Sequence, residues 1–234
     1  MAVQRLSLAN IRDRVLQICG VASSTDAFWG NDLLLYRYIN TVGQSIPIKV
    51  GMLLKTNQPV LIDFWRTKVN SATTGSSLVI AASSSTAYLP IDYYHYASFY
   101  DLTAKRPIPV IISTGRGQRN IDNLRKKPAG PPEAIEILDM TTNGTYWQRK
   151  AQLVPDTPSG VTPSVELVYY RVPASMPGSN PNAEYPDAPV EFHPLWIYGT
   201  IVELMARSDP NFDRYKNLHD ELISALSIQA RVVR

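Results

Sequence analysis

The side chains of this 234-residue sequence that could carry out hydrolysis or bind a metal form no recognisable motif. His95, His193 and His219 lie in three separate segments, without the H-E-x-x-H or H-x-H spacing of zinc sites. No Gly-x-Ser-x-Gly marks a nucleophile, and no pair of carboxylates has a spacing that suggests a glycosidase. The single Cys19 cannot form an internal disulfide or a cysteine-based zinc site. We therefore expect no catalytic, cofactor-binding or metal-binding residues, and a hydrogen-bonding role for His193.

One segment differs from this background because its charge is concentrated. Residues 105–127 contain seven basic residues against one acidic residue, a balance of +6, whereas the whole chain carries +3. Such a segment favours contact with phosphates or with an acidic protein surface, and a solvated charged loop is the ordinary alternative. Glycines near its start, and Pro128, Gly130, Pro131 and Pro132 after it, predict a projecting loop. The candidate contact residues are Arg116, Arg119, Arg125, Lys126 and Lys127.

The composition predicts a folded chain with a polar surface. Hydrophobic residues make up 44% of the chain and charged residues 18%, which excludes a globally disordered protein. No apolar run reaches the roughly eighteen residues that a membrane span needs, and the charged N-terminus is unlike a signal peptide. The 13 tyrosines and the few charged residues suit a surface that makes wet contacts with other proteins more than one that faces free solution. We expect no membrane partner.

Apolar periodicity predicts a pair of helices near each end of the chain. The first helix spans residues 7–19 with Ser7 as its cap, and the second begins near residue 31 and must end or bend at Pro47. Near the C-terminus one helix is predicted over residues 194–207 and another after Asp209-Pro210. Because the helices are amphipathic, we expect them to pack as a bundle.

Between the helix pairs, short β-branched and aromatic runs alternate with turn residues. This spacing favours antiparallel sheet over strand–helix–strand units, with a tight turn at Asn143-Gly144. The predicted strands are residues 60–65, 78–82, 93–100, 107–113, 134–139, 146–154 and 165–171.

The predicted fold class is α+β, a helical bundle built from the N- and C-terminal helix pairs with an antiparallel β insertion and extended Pro-rich arms. The stretch before the second helix pair holds many prolines and few apolar side chains, so it is predicted to be an extended, surface-hugging connection. The expected domains are the bundle (residues 1–58 and 190–228), the β insertion (59–172), the Pro-rich extended linker (173–189) and a C-terminal tail (229–234).

The order of these segments, and the short motifs within them, resemble a known protein family. The helical segment NDLLLYRYINTVGQSI precedes STAYLPIDYYHYASFYD, which contains Leu89-Pro90-x-Asp92. A later stretch runs from Pro155-Asp156 to Tyr169-Tyr170-Arg171-x-Pro173, and YPDAPVEFHPLWIYGT leads towards the last helix. Over roughly residues 8–228 the chain resembles the head-to-tail adaptor (connector) proteins of tailed bacteriophages.

The resemblance implies a structural, non-enzymatic virion protein. Such adaptors form a ring, usually of twelve copies, that binds the portal protein on one side and a tail or nozzle protein on the other. The ring continues the channel through which the genome is packaged and ejected. We therefore expect this chain to contact itself, the portal and the tail, with non-specific contact between the basic segment and DNA. Its expected location is the virion head–tail junction, after synthesis in the bacterial host cytoplasm.

The C-terminal segment is expected to leave the last helix and to dock on the portal. Beyond Leu226 the apolar helical stripe loses support, and two arginines at the end could meet acidic groups while two valines fill a groove. The predicted docking residues are Arg231, Val232, Val233 and Arg234.

The sequence is also compatible with three other functions. A tail-completion or baseplate protein would share the helical ends but would meet a tail tube or fibres. A glycan-active cell-wall enzyme would need paired carboxylates in a cleft. A carbohydrate-binding module is favoured by the tyrosine and tryptophan content.

Overall fold

The computed structural model of this chain describes residues 5–21, 31–56, 58–73, 76–81, 83–111, 116–142 and 147–232. The helices in these residues are α1 (Leu8–Ile18), α2 (Asp32–Leu53), α3 (Arg116–Arg125), α4 (Pro194–Leu204) and α5 (Phe212–Ile228). The strands are β1 (Val60–Ile62), β2 (Arg66–Asn70), β3 (Val79–Ile80), β4 (Thr86–Tyr88), β5 (Tyr93–Asp101), β6 (Arg106–Ile108), β7 (Val110–Ile111), β8 (Ala134–Thr142), β9 (Trp147–Val154), β10 (Val165–Arg171) and β11 (Ala230–Val232).

The strands form three sheets within the described residues. A two-stranded sheet pairs β1 with β11, a four-stranded sheet has the order β2-β10-β5-β6, and a five-stranded sheet has the order β3-β4-β9-β8-β7. All pairings are antiparallel except that of β7 with β8.

The expected helical bundle with an antiparallel β insertion is wrong as a description of this fold. The sheets are extensive, one strand pair is parallel, and the helix-rich part of the chain contains a sheet of its own. Periodicity identified short apolar runs one at a time, and it carried no information about how distant strands pair. The predicted Asn143-Gly144 turn lies outside the described residues.

The chain forms two compact units. The terminal unit comprises Met1–Trp65 and Val172–Arg234, and the inserted unit comprises Arg66–Arg171. The terminal unit therefore includes β1, the Pro-rich stretch and the C-terminal segment, which the sequence analysis assigned to an insertion, a linker and a tail. Strand β1 belongs to it because Val60 pairs with Val232 near the far end of the chain.

The core of the terminal unit is formed by the apolar faces of its helices together with β1. Ser7 caps α1 with a capping box, as its position predicted, and Gly20 follows the helix with a positive φ of 71°. Helix α2 continues through Pro47, which the sequence predicted would end or bend it. Ile46 and Val50 are fully buried on either side of this proline, so packing favours an unbroken helix there.

The Pro-rich stretch is not a free arm but a strap that is hydrogen-bonded to the terminal unit. The carbonyls of Glu184 and Pro181 accept from the amides of Leu8 and Ala9 at 2.8 and 3.0 Å, which supplies partners for the first turn of α1. The Asn40 side chain forms two 2.7 Å hydrogen bonds with the backbone of Met176. The extended Pro-rich arms of the predicted fold class are thus a connection held against its own unit, as a surface-hugging segment would be, and not free arms. This segment is held by hydrogen bonds to residues far away in the sequence. The composition of the segment does not reveal those partners.

In the inserted unit, the two larger sheets contribute to one hydrophobic cluster. Strand β10 alternates strictly at its start, placing Val165, Leu167 and Tyr169 in the core. The other sheet contributes residues such as Ile135 and Leu153. The two sheets stack because each needs a partner for its apolar face.

Helix α3 connects the two parallel strands β7 and β8. Parallel strands need a crossover, because a tight turn cannot return the chain to the same end of the sheet. Helix α3 lies in this crossover, and Ile121 anchors the helix with a fully buried side chain. The prediction of a projecting basic loop is wrong for residues 116–125, and so is the preference for purely antiparallel pairing.

Candidate functional site

The basic residues of α3 divide into those that are paired within the chain and those that face solvent. Arg125 Nη2 lies 2.5 Å from Glu136 Oε2 and 3.4 Å from Gln152 Oε1. The Glu136 side chain is only 4% exposed, so Arg125 compensates a buried carboxylate on β8. This arginine has a structural role that limits its availability to a partner.

The other predicted basic residues have more open surroundings. Lys127 pairs with Glu133 at 2.6 Å on the surface. Arg119 and Lys126 are exposed and form no ion pair with any residue in the described part of the chain. The side chain of Arg116 lies outside the description, although its backbone begins α3. The positive charge available to a partner is therefore smaller than the sequence balance implies. Among the predicted contact residues whose side chains are described, Arg119 and Lys126 are the ones without an ion pair in the described part of the chain.

The C-terminal segment leaves the last helix and forms a strand. Helix α5 ends at Ile228, and β11 follows after one residue to pair with β1. Arg231 forms a 2.8 Å ion pair with Asp63, and Val232 is 38% exposed. Val233 and Arg234, also predicted to contact a partner, lie outside the described residues.

Exposed apolar side chains accompany this two-stranded sheet. Ile228 is 86% exposed at the end of α5. Met52 is 72% exposed near the end of α2, next to Gly51, which approaches Val60 of β1 closely. Within the described residues, each strand of this sheet pairs on one side only, which leaves backbone groups for a further strand.

The histidines are explained by local structure. The Leu6 amide donates to His193 Nδ1 at 3.1 Å, so Nε2 carries the proton and donates to the Ala188 carbonyl, also at 3.1 Å. This arrangement is the ordering role expected for His193, and burial lowers its pKa. Burial also lowers the pKa of His219, whose Nε2 has no hydrogen-bond partner in the described structure.

Two motifs on which the family resemblance rests meet in the inserted unit. Tyr169 Oη donates to Asp92 Oδ1 at 2.9 Å, joining the Leu89-Pro90-x-Asp92 segment to the strand that contains Tyr169-Tyr170. Burial, aided by the Asp92 carboxylate, raises the pKa of Tyr169, and burial raises the pKa of Tyr93 to about 12. Both phenols are therefore protonated at neutral pH and act as packing and hydrogen-bonding groups.

Sequence reasoning missed a pocket of about 180 Å³ in the inserted unit. Its lining includes Asp101 at the end of β5, and proline residues from two other segments. Asp101 is only 3% exposed. The pocket was missed for two reasons. An aspartate that ends a strand before a polar turn is too common to indicate a pocket, and the lining prolines lie far apart in the sequence.

The described residues contain no group of three or more His, Cys, Asp or Glu side chains that could hold a metal ion. Over the same residues, none of the helices combines the length and apolar character that crossing a membrane would require.

Comparison with known proteins adds no family assignment. No model of a protein family matches the chain, and no curated protein matches its sequence significantly.

Proposed function

We propose that this chain is a structural subunit of a ring at the head-to-tail junction of a tailed bacteriophage. In this role it joins the portal to the tail and continues the DNA channel. The observation that carries the proposal is the two-stranded sheet of β1 and β11. It places the C-terminal segment as a strand near exposed Ile228, and one edge of this strand pairs with no other strand of the described residues.

An edge strand suits a protein that must attach to neighbours. Unpaired backbone groups can accept a strand from another chain, and adjacent apolar side chains then add specificity. A closed ring repeats one interface between unlike surfaces of successive copies, so each chain needs two different contact patches. The β1–β11 sheet supplies one such patch. The link between Asp92 and Tyr169 also supports the resemblance, because it gives two of its motifs a shared structural role.

The exposed basic residues support a channel role. Arg119 and Lys126 add two positive charges per chain that no acidic side chain of the described residues compensates. In a ring of about twelve copies, the number that the resemblance implies, these charges repeat around the axis and create a positive belt. A channel must let DNA pass, so weak contacts to phosphates without base readout are sufficient.

Electron microscopy of the purified protein and of the particle vertex tests this proposal. A closed ring between portal and tail is the expected result, and a single copy or an open arc at the vertex would contradict it. Truncation after Gln229 removes β11 and should abolish attachment to portal-bearing capsids. Arg214→Ala, which changes another arginine of the terminal unit, should attach normally.

The alternative functions have separate tests. A tail-completion or baseplate protein would be found in particles away from the portal. Lysis of purified cell walls would favour a glycan-active enzyme, and glycan binding by the monomer would favour a carbohydrate-binding module.

A further inference from the structure

The pocket in the inserted unit contains a buried carboxylate that is only partly satisfied. Asp101 Oδ1 accepts hydrogen bonds from the amides of Thr103 and Ala104, both at 2.9 Å. Asp101 Oδ2 has no hydrogen bond or ion pair with any group in the described residues. Asp101 is 3% exposed, but Oδ2 is not fully enclosed, because His219 Nε2 is the one fully buried side-chain N or O atom without a hydrogen-bond partner in the described residues. Asp101 lines the pocket, and a ligand donor that reaches Oδ2 would satisfy its remaining hydrogen-bonding capacity.

The rest of the pocket is mostly apolar and suits an aliphatic chain. Pro132, Pro163 and Val165 are buried residues of the lining, and Pro131 and Pro158 complete it near the opening. The rings and methyl groups can pack against methylene groups while a charged head reaches Asp101. A volume of about 180 Å³ exceeds the roughly 150 Å³ of an engineered cavity that binds benzene, so a ligand with five or six heavy atoms fits.

The walls of the pocket are fixed by hydrogen bonds. The Leu102 amide donates to the Ser164 carbonyl at 2.9 Å, and the Gly130 amide donates to the Asp156 carbonyl at 2.9 Å. Ser71 Oγ donates to the Pro163 carbonyl at 3.1 Å. A pocket held in this way needs little reorganisation on binding.

We propose that this pocket binds a primary ammonium group carried on an aliphatic chain, such as a lysine side chain of another protein or a free diamine. The Asp101 carboxylate attracts a cation and repels an anion. An ammonium suits the single free oxygen better than a guanidinium does, because an arginine fork binds both oxygens of a carboxylate. Thr157 and Thr162 also line the pocket. A threonine hydroxyl can accept a hydrogen bond from an ammonium group, so these residues are candidates to accept its remaining protons.

The pocket lies within the inserted unit alone, so ammonium binding does not require ring assembly. The proposed function and this site can therefore fail independently.

Saturation-transfer NMR on the full chain tests the site with n-butylammonium as the probe and 1-butanol as its neutral analogue. We expect saturable binding of n-butylammonium with a dissociation constant on the order of 1 mM, and at least about tenfold weaker binding of 1-butanol. Asp101→Asn should weaken n-butylammonium binding by at least about tenfold, because it removes the charge but keeps an acceptor for the two turn amides.

Asp139→Asn is the matched control, since Asp139 is an exposed carboxylate on β8 of the same unit. It should leave binding unchanged. Absence of saturable binding to the wild-type chain, equal binding of 1-butanol, or equal effects of the two substitutions would overturn the proposal. The butanol comparison uses the wild-type protein, so it decides the matter even if Asp101→Asn fails to fold.

Two further probes separate the sources of the ammonium group. Tighter binding of Nα-acetyl-lysine methylamide than of 1,5-diaminopentane supports a protein lysine as the occupant. The opposite order supports the same site with a free diamine as its ligand.

Discussion

Arg125 and Lys127 lie two residues apart and form ion pairs of unequal burial. The partner of Arg125, Glu136, has a side chain that is 4% exposed, whereas the partner of Lys127, Glu133, is 38% exposed. Arg125→Met removes a guanidinium that compensates a buried carboxylate, and we expect a loss of about 2 kcal/mol in the free energy of unfolding. Lys127→Met should change it by less than about 1 kcal/mol. Urea denaturation measures both values.

Both substitutions remove one positive charge, so each controls for the effect of net charge in the other. Equal losses for the two variants would show that the burial of Glu136 does not determine the strength of this pair.

The buried histidines make stability depend on pH. His193 and His219 have pKa values below the ordinary 6.5 because burial disfavours their charged forms. The histidines of the unfolded chain therefore bind protons more readily than those of the folded chain. Above pH 6.5 both states hold neutral histidines, and the free energy of unfolding keeps its full value. It is lost progressively as the pH falls through the lower folded pKa values. We expect weaker stability in urea at pH 5 than at pH 7.5.

The variant His193→Gln should flatten this dependence, since glutamine retains hydrogen-bonding groups but does not titrate. His95→Gln serves as the control, because His95 is only half-buried and lies in the inserted unit. An unchanged pH dependence in His193→Gln would assign the effect to other groups.

At the scale of elements, glycines allow α2 and α4 to pack closely. A Cβ at Gly43 would overlap the indole of Trp196, and a Cβ at Gly199 would lie 2.5 Å from Val42 Cγ1. Gly43→Ala should therefore destabilise the terminal unit by about 1–3 kcal/mol, although alanine favours a helix by about 1 kcal/mol over glycine. Thermal unfolding followed by circular dichroism measures the change.

Gly51→Ala in the same helix is the matched comparison. A Cβ there would lie 3.3 Å from a methyl group of Val60, which requires only a small adjustment. Its effect should be much smaller than that of Gly43→Ala. Similar melting temperatures for Gly43→Ala and the wild type would contradict close helix packing at this position.

The sequence predicted elements better than it predicted their partners. Helix α1 and its Ser7 cap follow from local signals, and all strands of the β-rich region except the short β2 and β4 overlap predicted runs. Helix α3 was missed because Ile121 and Leu124 are its few apolar residues among many charges. The contacts that hold the strap and the pairing of the parallel strands were missed for one reason. Each depends on contacts between residues far apart in the chain, which local patterns do not encode.

At the candidate site, too, the sequence predicted which residues matter better than it predicted their partners. The sequence located the excess of positive charge, but the pairing of Arg125 with Glu136 depends on how β8 packs beside α3. The C-terminal segment was predicted to leave α5, and nothing in its sequence indicates that β1 is its partner. The pocket at Asp101 was missed because its walls come from three distant segments.

At the scale of the whole molecule, the inserted unit has its own core and adjacent ends. Arg66 begins β2, and it pairs with Tyr170 near the end of β10. The fragment 66–171 should therefore fold alone, because its ends need no long closing loop and its core is internal. Cooperative urea unfolding and dispersed amide resonances are the expected results. A fragment that is unfolded in isolation would show that the terminal unit is required for its stability.

The adjacent ends of β2 and β10 also determine how the inserted unit responds to mechanical force. Tension applied through both connections would pull apart two neighbouring antiparallel strands from the same end. Their hydrogen bonds run perpendicular to the strands and would break one after another, in an unzipping geometry, rather than together in shear. A force applied to the inserted unit through its two connections is therefore resisted by only a few β2–β10 hydrogen bonds at a time. Force spectroscopy through residues 66 and 171 should give a lower rupture force than pulling along the length of β10.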